Sequence, residues 1–483
     1  MNISWQVGLK SALSVNLCLS KILFPGGLYM TNVKEKPNPP KLMCELKEQL
    51  SPSFDVLLIP LQIEEEAAFL LYLKTAVDGD KLQNMIIKPF FEMKSMQHYG
   101  SYVQSSPDIL EIKSEEKIPL ELTKGSVLIA VQHQFFLIDV KKVNTSTVQQ
   151  TLMEPTVYGP QQALSEDILT NLNIIRHRYK EPTLKIEILE LKDKTHNDIA
   201  LIYDDQTVKP VILKTIRKRL EELDSPLIQS AGELQLFLNG KRFTLFPTLM
   251  LTERPDRICY NLDAGKVIIM IDGSPHALIA PVVFFDFMVS MEDNYHLFWI
   301  TSFTLVLRYF GLITCLILPA LYVAITSYNP DIFRTELALT VAGSRIGVPY
   351  PSFIEVLFML IFMELLTEAS IRLPKAISAT ATTVGGLILG SAATEAALTS
   401  NIMIIIVSAV AISSFVIPIN EMSFSIRFCR YILLAFTTFF GTVGFILGFL
   451  GIIMFLINKE SFGEPYLKMY WKSRRSEKGV KSE

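Results

Sequence analysis

The chain is poor in the residues that carry metal and redox chemistry. Its 483 residues include six histidines, three tryptophans and five cysteines, and Cys18, Cys44, Cys259, Cys315 and Cys429 form no CxxC pair and no Cys/His metal spacing. Such scattered thiols read as incidental side chains in a reducing compartment, and no cofactor or metal is expected. A P-loop, a GxGxxG after a strand, an HExxH and a GxSxG are all missing, so an enzyme finds no support. Asp272, Ser274 and His276 stand close together, but neighbours in a hairpin turn seldom align as a triad, and a turn is the expectation. Net charge is −3 and the charge-rich half has no Lys/Arg run interleaved with aromatics, which argues against a nucleic-acid surface. The apolar stretch Val15 to Leu28 is broken by Lys21, Pro25 and two glycines, so no secretory signal is expected, and Met30 stands as an alternative start.

What the chain does have is a sharp change of composition near residue 296. Half of it (50%) is hydrophobic, and the excess lies in the last third, in runs such as ILLAFTTFFGTVGFILGFLGIIMFLI from Ile432 to Ile457. Water does not solvate such runs. The expected architecture is an α/β cytoplasmic head followed by an all-α polytopic transmembrane domain.

The head reads as a duplication. A strand near Phe69 ends by Leu73 and a helix follows from about Asp80, with Leu82, Met85 and Ile86 at helical spacing. From Ile199 the pattern recurs, with Val211, Ile212 and Ile216 on the second helix. Each copy continues into an apolar hairpin, GSVLIAVQHQFFLI from Gly125 and GKVIIMIDGSPHALI from Gly265. Between them, Ser165 to Tyr179 reads as a helix with Ser165 as N-cap, acids in the first turn and Arg176, His177 and Arg178 in the last. Its Ile168, Leu172 and Ile175 share one face, a packing face. The expected division is a variable leader at 1–40, a first α/β subdomain at 41–155, a connecting helix at 156–182, a second subdomain at 183–295, the transmembrane domain at 296–457 and a basic cytoplasmic tail at 458–483.

A bilayer core of about 30 Å takes about 20 helical residues. Four stretches qualify: Phe298 to Ala324, Ile354 to Ile371, Ile402 to Ile419 and Tyr431 to Ile457. A fifth, Thr382 to Ala397, is Gly/Ala-rich, carries Glu395 and reads as re-entrant. Four spans keep Arg372, Lys375 and the basic tail (Lys468, Lys472, Arg474, Arg475, Lys478, Lys481) on the head's side, as the positive-inside rule requires, but leave Arg427 and Arg430 in an outer loop. Trp299, Tyr322, Tyr328 and Tyr431 suit interfacial anchors. Small residues at Gly441, Gly444, Gly448 and Gly451, and at Gly386, Gly390, Ala393 and Ala397, suit close helix packing in lipid.

Charges inside the apolar third carry more information, because each costs about 2.5–3.5 kcal/mol on insertion scales unless paired or wet. On the second span Leu357, Ile361, Glu364, Glu368 and Arg372 fall on one stripe, and Glu355 lies on the opposite side. In an oligomer this stripe is half of a pore wall, with Glu364 and Glu368 as a cation-attracting ring and Leu357 and Ile361 as a collar that gates by dewetting. The competing reading is structural: Glu368 pairs with Arg372, and Glu364 forms an intramembrane ion pair with Arg308.

From about Val157 to Leu467 the chain resembles the A-subunit family of bacterial spore germination receptors. The resemblance rests on GPQQALSEDILTNLNIIRHR (Gly159 to Arg178), TERPDR (Thr252 to Arg257), DGSPHALIAPVVFFDF (Asp272 to Phe287), LPALYVAITSYNPDIFRTELALTVAGSRIGVPYPSFIE (Leu318 to Glu355), ELLTEASIRLPK (Glu364 to Lys375) and SFGEPYL (Ser461 to Leu467). Residues Asp55 to Glu92 are similar more loosely, and HNDIALIYDDQTVKP lacks the family's glycine-containing loop. The resemblance implies a multi-pass subunit of a nutrient-responsive receptor in the inner membrane of the endospore. It implies a homo-oligomer, taken as a pentamer, forming a gated channel for monovalent cations, beside a transporter-like B-type subunit and a lipoprotein C-type subunit. The alternative is a scaffold subunit of the same receptor that transmits the signal without conducting. A secondary transporter finds no inverted repeat here.

Overall fold

The structure, a computed structural model, describes residues 38–468 except for breaks at 64–65, 94, 113, 133, 143–149, 152, 192–193, 195, 224–226 and 240–243. The leader up to residue 37 with Met30, and the basic tail beyond Lys468, lie outside the described residues. The chain divides into two compact units. The first takes residues up to 148 with 165–190 and 198–207, and the second takes the rest.

Two five-stranded sheets carry the head. In the first, β1 (Val56–Ile63), β2 (Glu66–Leu73), β3 (Ile109–Leu110), β4 (Ser126–Val131) and β5 (Gln134–Asp139) lie in the order β1-β2-β4-β5-β3. In the second, β6 (Leu184–Glu190), β7 (Asp198–Asp204), β8 (Met250–Thr252), β9 (Val267–Ile271) and β10 (Ala277–Ala280) lie in the order β6-β7-β9-β10-β8. Counted along the chain, both read first, second, fourth, fifth, third, which agrees with an internal repeat. The strands expected from Phe69 and Ile199 are β2 and β7, and the two hairpins are β4–β5 and β9–β10.

In the first unit, period-two alternation sends Leu70 and Tyr72 into one core with Phe90, Tyr99 and Ile129. Phe69, Leu71 and Leu73 join the other face with Met43 and Leu46 of α1 (Lys41–Leu50) and Leu122 of α2 (Ile118–Lys124). The linking helix α3 (Ile168–Arg178) begins later than expected. Its N-cap is Asp167, whose carboxylate accepts from the Thr170 N–H at 2.7 Å, and no acid stands in its first turn. Ser165 is held outside the helix because Asn171 bonds both its N–H (2.7 Å) and its carbonyl (2.6 Å). Ile168, Leu172 and Ile175 are buried as the periodicity requires. From the last turn of α3 the buried Arg176 reaches Asp55 (3.1 Å), Ser53 Oγ (2.9 Å) and the Leu184 carbonyl (3.0 Å), and Asp55 also accepts from Thr75.

In the second unit, α4 (Pro210–Glu221) buries Ile212 and Ile216, but Val211 is 71% exposed, one position off the packed stripe. The TERPDR segment forms a buried knot at the start of α6 (Pro255–Asp263), after α5 (Ala231–Leu238). Arg254 donates to Asp256 (2.6 and 3.0 Å), Thr156 Oγ1 (2.9 Å) and the carbonyls of Glu154 (2.9 Å) and Pro160 (3.2 Å). Burial alone would raise the Asp256 carboxyl, but the hydrogen bonds and charge of Arg254 bring it below its ordinary range. Tyr295 donates to the same carboxylate at 2.9 Å, and burial, then that bond, push its hydroxyl up to about 12. Through Tyr295 this knot reaches the residues immediately before the apolar helices.

Those helices are α7 (Phe298–Val323), α8 (Ser352–Arg372), α9 (Lys375–Glu395), α10 (Asn401–Phe415) and α11 (Asn420–Ile457). Among the described residues two stretches, Phe298–Tyr328 and Asn420–Ile457, are long and apolar enough to cross a membrane. The run Thr382 to Ala397, expected to be re-entrant, lies largely within a 21-residue helix, Lys375–Glu395. The expected single span Tyr431 to Ile457 is folded in two. Gly441 (φ +64°, ψ −143°) is non-helical inside α11, and beyond it the chain turns back on itself. A Cβ on Gly444 would overlap the Phe436 carbonyl and lie 2.7 Å from Phe440 Cβ, and one on Gly448 would lie 3.0 Å from Leu433. A straight helix keeps residues that far apart in sequence more than 10 Å apart, roughly eight rises of 1.5 Å for the shorter separation. Consistently, α11 both starts and ends against the second unit's head residues: Gln235 donates to Glu421 at 3.2 Å, and the Phe455 ring lies tilted 6.1 Å from that of Phe246. The tip is gripped from the end of α7, where Tyr328 donates to the Thr438 carbonyl and Asn329 to Thr442 Oγ1 (3.0 Å).

The remaining helices alternate in direction. Ser352, opening α8, meets Ser327 just beyond α7, Ser378 of α9 donates to the Ser370 carbonyl at 2.8 Å, and Ser423 of α11 donates to the Ser414 carbonyl of α10 at 3.1 Å. Tyr322 is buried within this bundle and is not an outward anchor, whereas Trp299 is exposed.

Candidate functional site

Leu357, Ile361 and Glu368 of the stripe lie on the outer side of α8, whereas Glu364 turns to α11. Leu357 is 40% exposed and Ile361 45%, while the opposite face of the helix buries Glu355, Val356, Met359 and Leu360. The helical period thus separates a packed face from an unpartnered one, and the expected collar residues fall on the latter. At the end of the stripe Glu368 accepts from Arg372 at 2.7 Å, one turn on, and both side chains remain largely exposed.

Arg308 and Glu364 are not brought together. Arg308, near the head end of α7, donates to Asp293 Oδ1 (2.8 Å) and Oδ2 and to the Met288 carbonyl (3.0 Å). Its partner lies fifteen residues earlier, in the lead-in to the helix. Glu364 meets two arginines of α11 instead. Its Oε1 accepts from Arg427 Nε (3.0 Å) and Arg430 (2.8 Å), and its Oε2 pairs with Arg427 as well. Arg430 is wholly buried beside Cys315 Sγ (3.8 Å) and the Tyr431 ring, while Arg427 lies over Phe424. Far from occupying an outer loop, Arg427 and Arg430 sit in the first arm of α11.

Glu355, on the side of α8 away from the stripe, is a second anchor. It is 1% exposed, accepts from Ser400 N (2.7 Å), Ser400 Oγ (2.7 Å) and Thr399 Oγ1 (3.2 Å), and lies 3.3 Å from Arg345. These bonds tie the first turn of α8 to the start of α10. A carboxylate buried on an apolar helix requires such partners, which is the signal the sequence offers, although nothing local names them. In the β9–β10 turn Ser274 Oγ accepts from the Ala231 N–H (3.3 Å) and His276 lies against Met153 Sδ (3.1 Å), so the hydroxyl and imidazole groups are engaged separately.

The Bacillus/Clostridium GerA spore germination protein family matches residues 44–481. Spore germination protein KA of Bacillus subtilis (strain 168) is 33% identical over 442 residues, covering 89% of this chain and 81% of that protein. Spore germination protein B1 of the same strain is 34% identical over 330 residues, covering 68% of each, and Uncharacterized membrane protein YfkQ is 32% identical over 406 residues, covering 83% and 79%. The solved N-terminal domain of the A subunit of the Bacillus megaterium spore germinant receptor GerK3 overlaps 50% of this chain and 93% of that one at 25% identity, with a TM-score of 0.39. With a family match over most of its length and relatives above 30% identity along two thirds or more of both chains, this chain belongs to the GerA spore germination protein family.

Proposed function

We propose that this chain is the A-type subunit of a nutrient-responsive receptor in the inner membrane of the endospore, and that several copies surround a pore lined by the α8 stripe. One observation carries the reading: on a helix whose other acids, Glu355 and Glu364, are held by partners within the chain, Leu357, Ile361 and the carboxylate of Glu368 face away from the chain's own bundle. Such a face needs water, a second copy or both. Around a symmetry axis, Ile361 and Leu357 supply the dewetting collar and Glu368 an acidic mouth for monovalent cations. The transporter-like and lipoprotein subunits are its proposed partners, the first as nutrient sensor. Ion flux through the chain in liposomes, alone and with those partners, tests the reading. Ile361→Ala is expected to raise the cation leak about tenfold, the effect of about 1.4 kcal/mol off the barrier. An unchanged leak in a conducting assembly removes Ile361 from the gate, and no flux from any assembly removes the pore.

A non-conducting scaffold is the second reading. It is favoured by the neutralisation of both acids within one chain, Glu364 by Arg427 and Arg430 and Glu368 by Arg372.

The proposed topology has six passes: α7, α8, α9, α10 and the two arms of α11. An even number returns the tail to the head's side without leaving α9 out of the membrane. Impermeant labelling of single cysteines at Asn329 and Lys468 in oriented vesicles is expected to find them on opposite sides, and labelling from one side overturns the count.

A further inference from the structure

We infer that Glu364, Arg427 and Arg430 form a two-register clasp through which α11, fixed at both ends to the head, positions the stripe of α8. The inference rests on the pore reading above for its functional consequence, though not for its geometry.

α11 is fastened to the second unit's head at its start by Gln235–Glu421 and at its end by the hairpin that follows. There Lys459 donates to the Phe246 carbonyl, Ser461 Oγ to the Thr248 carbonyl (3.0 Å) and Tyr466 OH to the Pro247 carbonyl (2.7 Å), while the Phe284 N–H donates to the Tyr466 carbonyl (2.9 Å). Any displacement of these head segments is therefore handed to α11. Among the described residues α8 has no such tie to the head, being held at Glu355 by Thr399 and Ser400, and it reaches α11 through the long Glu364, Arg427 and Arg430 side chains.

The stoichiometry gives the clasp its second position. Two guanidiniums share one carboxylate in an apolar layer, and they stand three residues apart on one helix, about 4.5 Å along its axis. A slide of α11 along α8 can strengthen the bond to one arginine while loosening the other, without ever leaving the carboxylate unpaired. An uncompensated buried charge is what normally forbids such a slide. For Glu364 it is avoided in either register, while the register that loosens the wholly buried Arg430 is the costlier of the two, so Arg427 and Arg430 act as positioning residues on the stripe through Glu364.

The test uses the full chain in liposomes with its partner subunits, in wild type, Arg427→Gln and Arg430→Gln. Spin-labelled unnatural side chains at the exposed positions Leu365 and Phe428 report the α8–α11 register. Each variant leaves Glu364 one arginine, so the two are expected to shift the label distance in opposite senses, by up to about 4.5 Å apart. Flux is expected to diverge as well, one variant leaking without nutrient and the other losing the response, each by about tenfold or more. A purely structural ion pair would move both variants the same way, toward lost assembly, and that result overturns the clasp. Equal distances in both variants overturn it too. Opposite distance shifts with no flux from any assembly sustain the clasp and remove the pore instead.

Discussion

Gly444→Ala is expected to destabilise the chain by about 3 kcal/mol or more, and Gly444→Val to prevent the two arms of α11 from closing, because the added Cβ occupies the space of the Phe436 carbonyl and lies 2.7 Å from Phe440 Cβ. Neither neighbour is the movable end of a long side chain, so the backbone itself has to part. Gly451, seven residues on in the same glycine series, has open space where a Cβ would stand, with no atom within 4 Å, and Gly451→Ala is expected to be tolerated. Melting of the two purified variants in one detergent separates them. Equal melting temperatures would mean that the arms do not meet at Gly444, and the fold-back at Gly441 would fall with them.

Arg176→Leu is the second large effect. It leaves Asp55, a fully buried carboxylate, with Thr75 and without its ion-pair partner, and breaking a buried pair in this way costs about 3–5 kcal/mol. Replacing both partners with apolar residues, Asp55→Leu with Arg176→Met, is expected to recover much of that loss, since no charge is then stranded. The exposed pair Lys218–Glu222 is the control, and Lys218→Leu is expected to cost about 1 kcal/mol or less. Denaturant unfolding measures all three, and a loss at Arg176 no larger than at Lys218 would show the buried network to be dispensable.

The sequence is most legible where the pattern is local. β2 and β7 and the two hairpins announce themselves as short apolar runs between turn residues, and the packed face of α3 follows from Ile168, Leu172 and Ile175. The edge strands are harder. β1 carries Pro60 and β6 alternates with Lys185 and Glu187, so neither is the continuous apolar run that marks the strands between them. The start of α3 is ambiguous in the sequence because a serine two residues early offers the same capping chemistry as Asp167, and only the tertiary bonds of Asn171 decide between them.

In the apolar third, hydropathy reports how much lipid-compatible chain there is but not its direction. Gly441 is one small residue in a long apolar run, and nothing in composition separates a reversal from a close-packed helix. The stripe on α8 is readable because its period is local. Its partners are not, for Arg427 and Arg430 lie 63 and 66 residues beyond Glu364. The tie expected at Arg308 fails for a related reason: a long arginine near a helix start can reach back to the polar lead-in, where Asp293 already waits, instead of across the bilayer.

The anchorage of Glu355 makes α8 a lever. Its first turn is fastened to Ser400 and Thr399, whereas beyond Glu364 its last turns are tied to α9 by the Ser378 hydroxyl alone among the described residues, so Glu355 is the fulcrum. Measured along the helix, Ile361 lies about 9 Å from that point and Glu368 about 20 Å. A tilt therefore sweeps the carboxylate through about twice the arc of the isoleucine. In the proposed pore, a small rotation that barely loosens the collar would open the acidic mouth first, and the two ends of the stripe need not move by equal amounts.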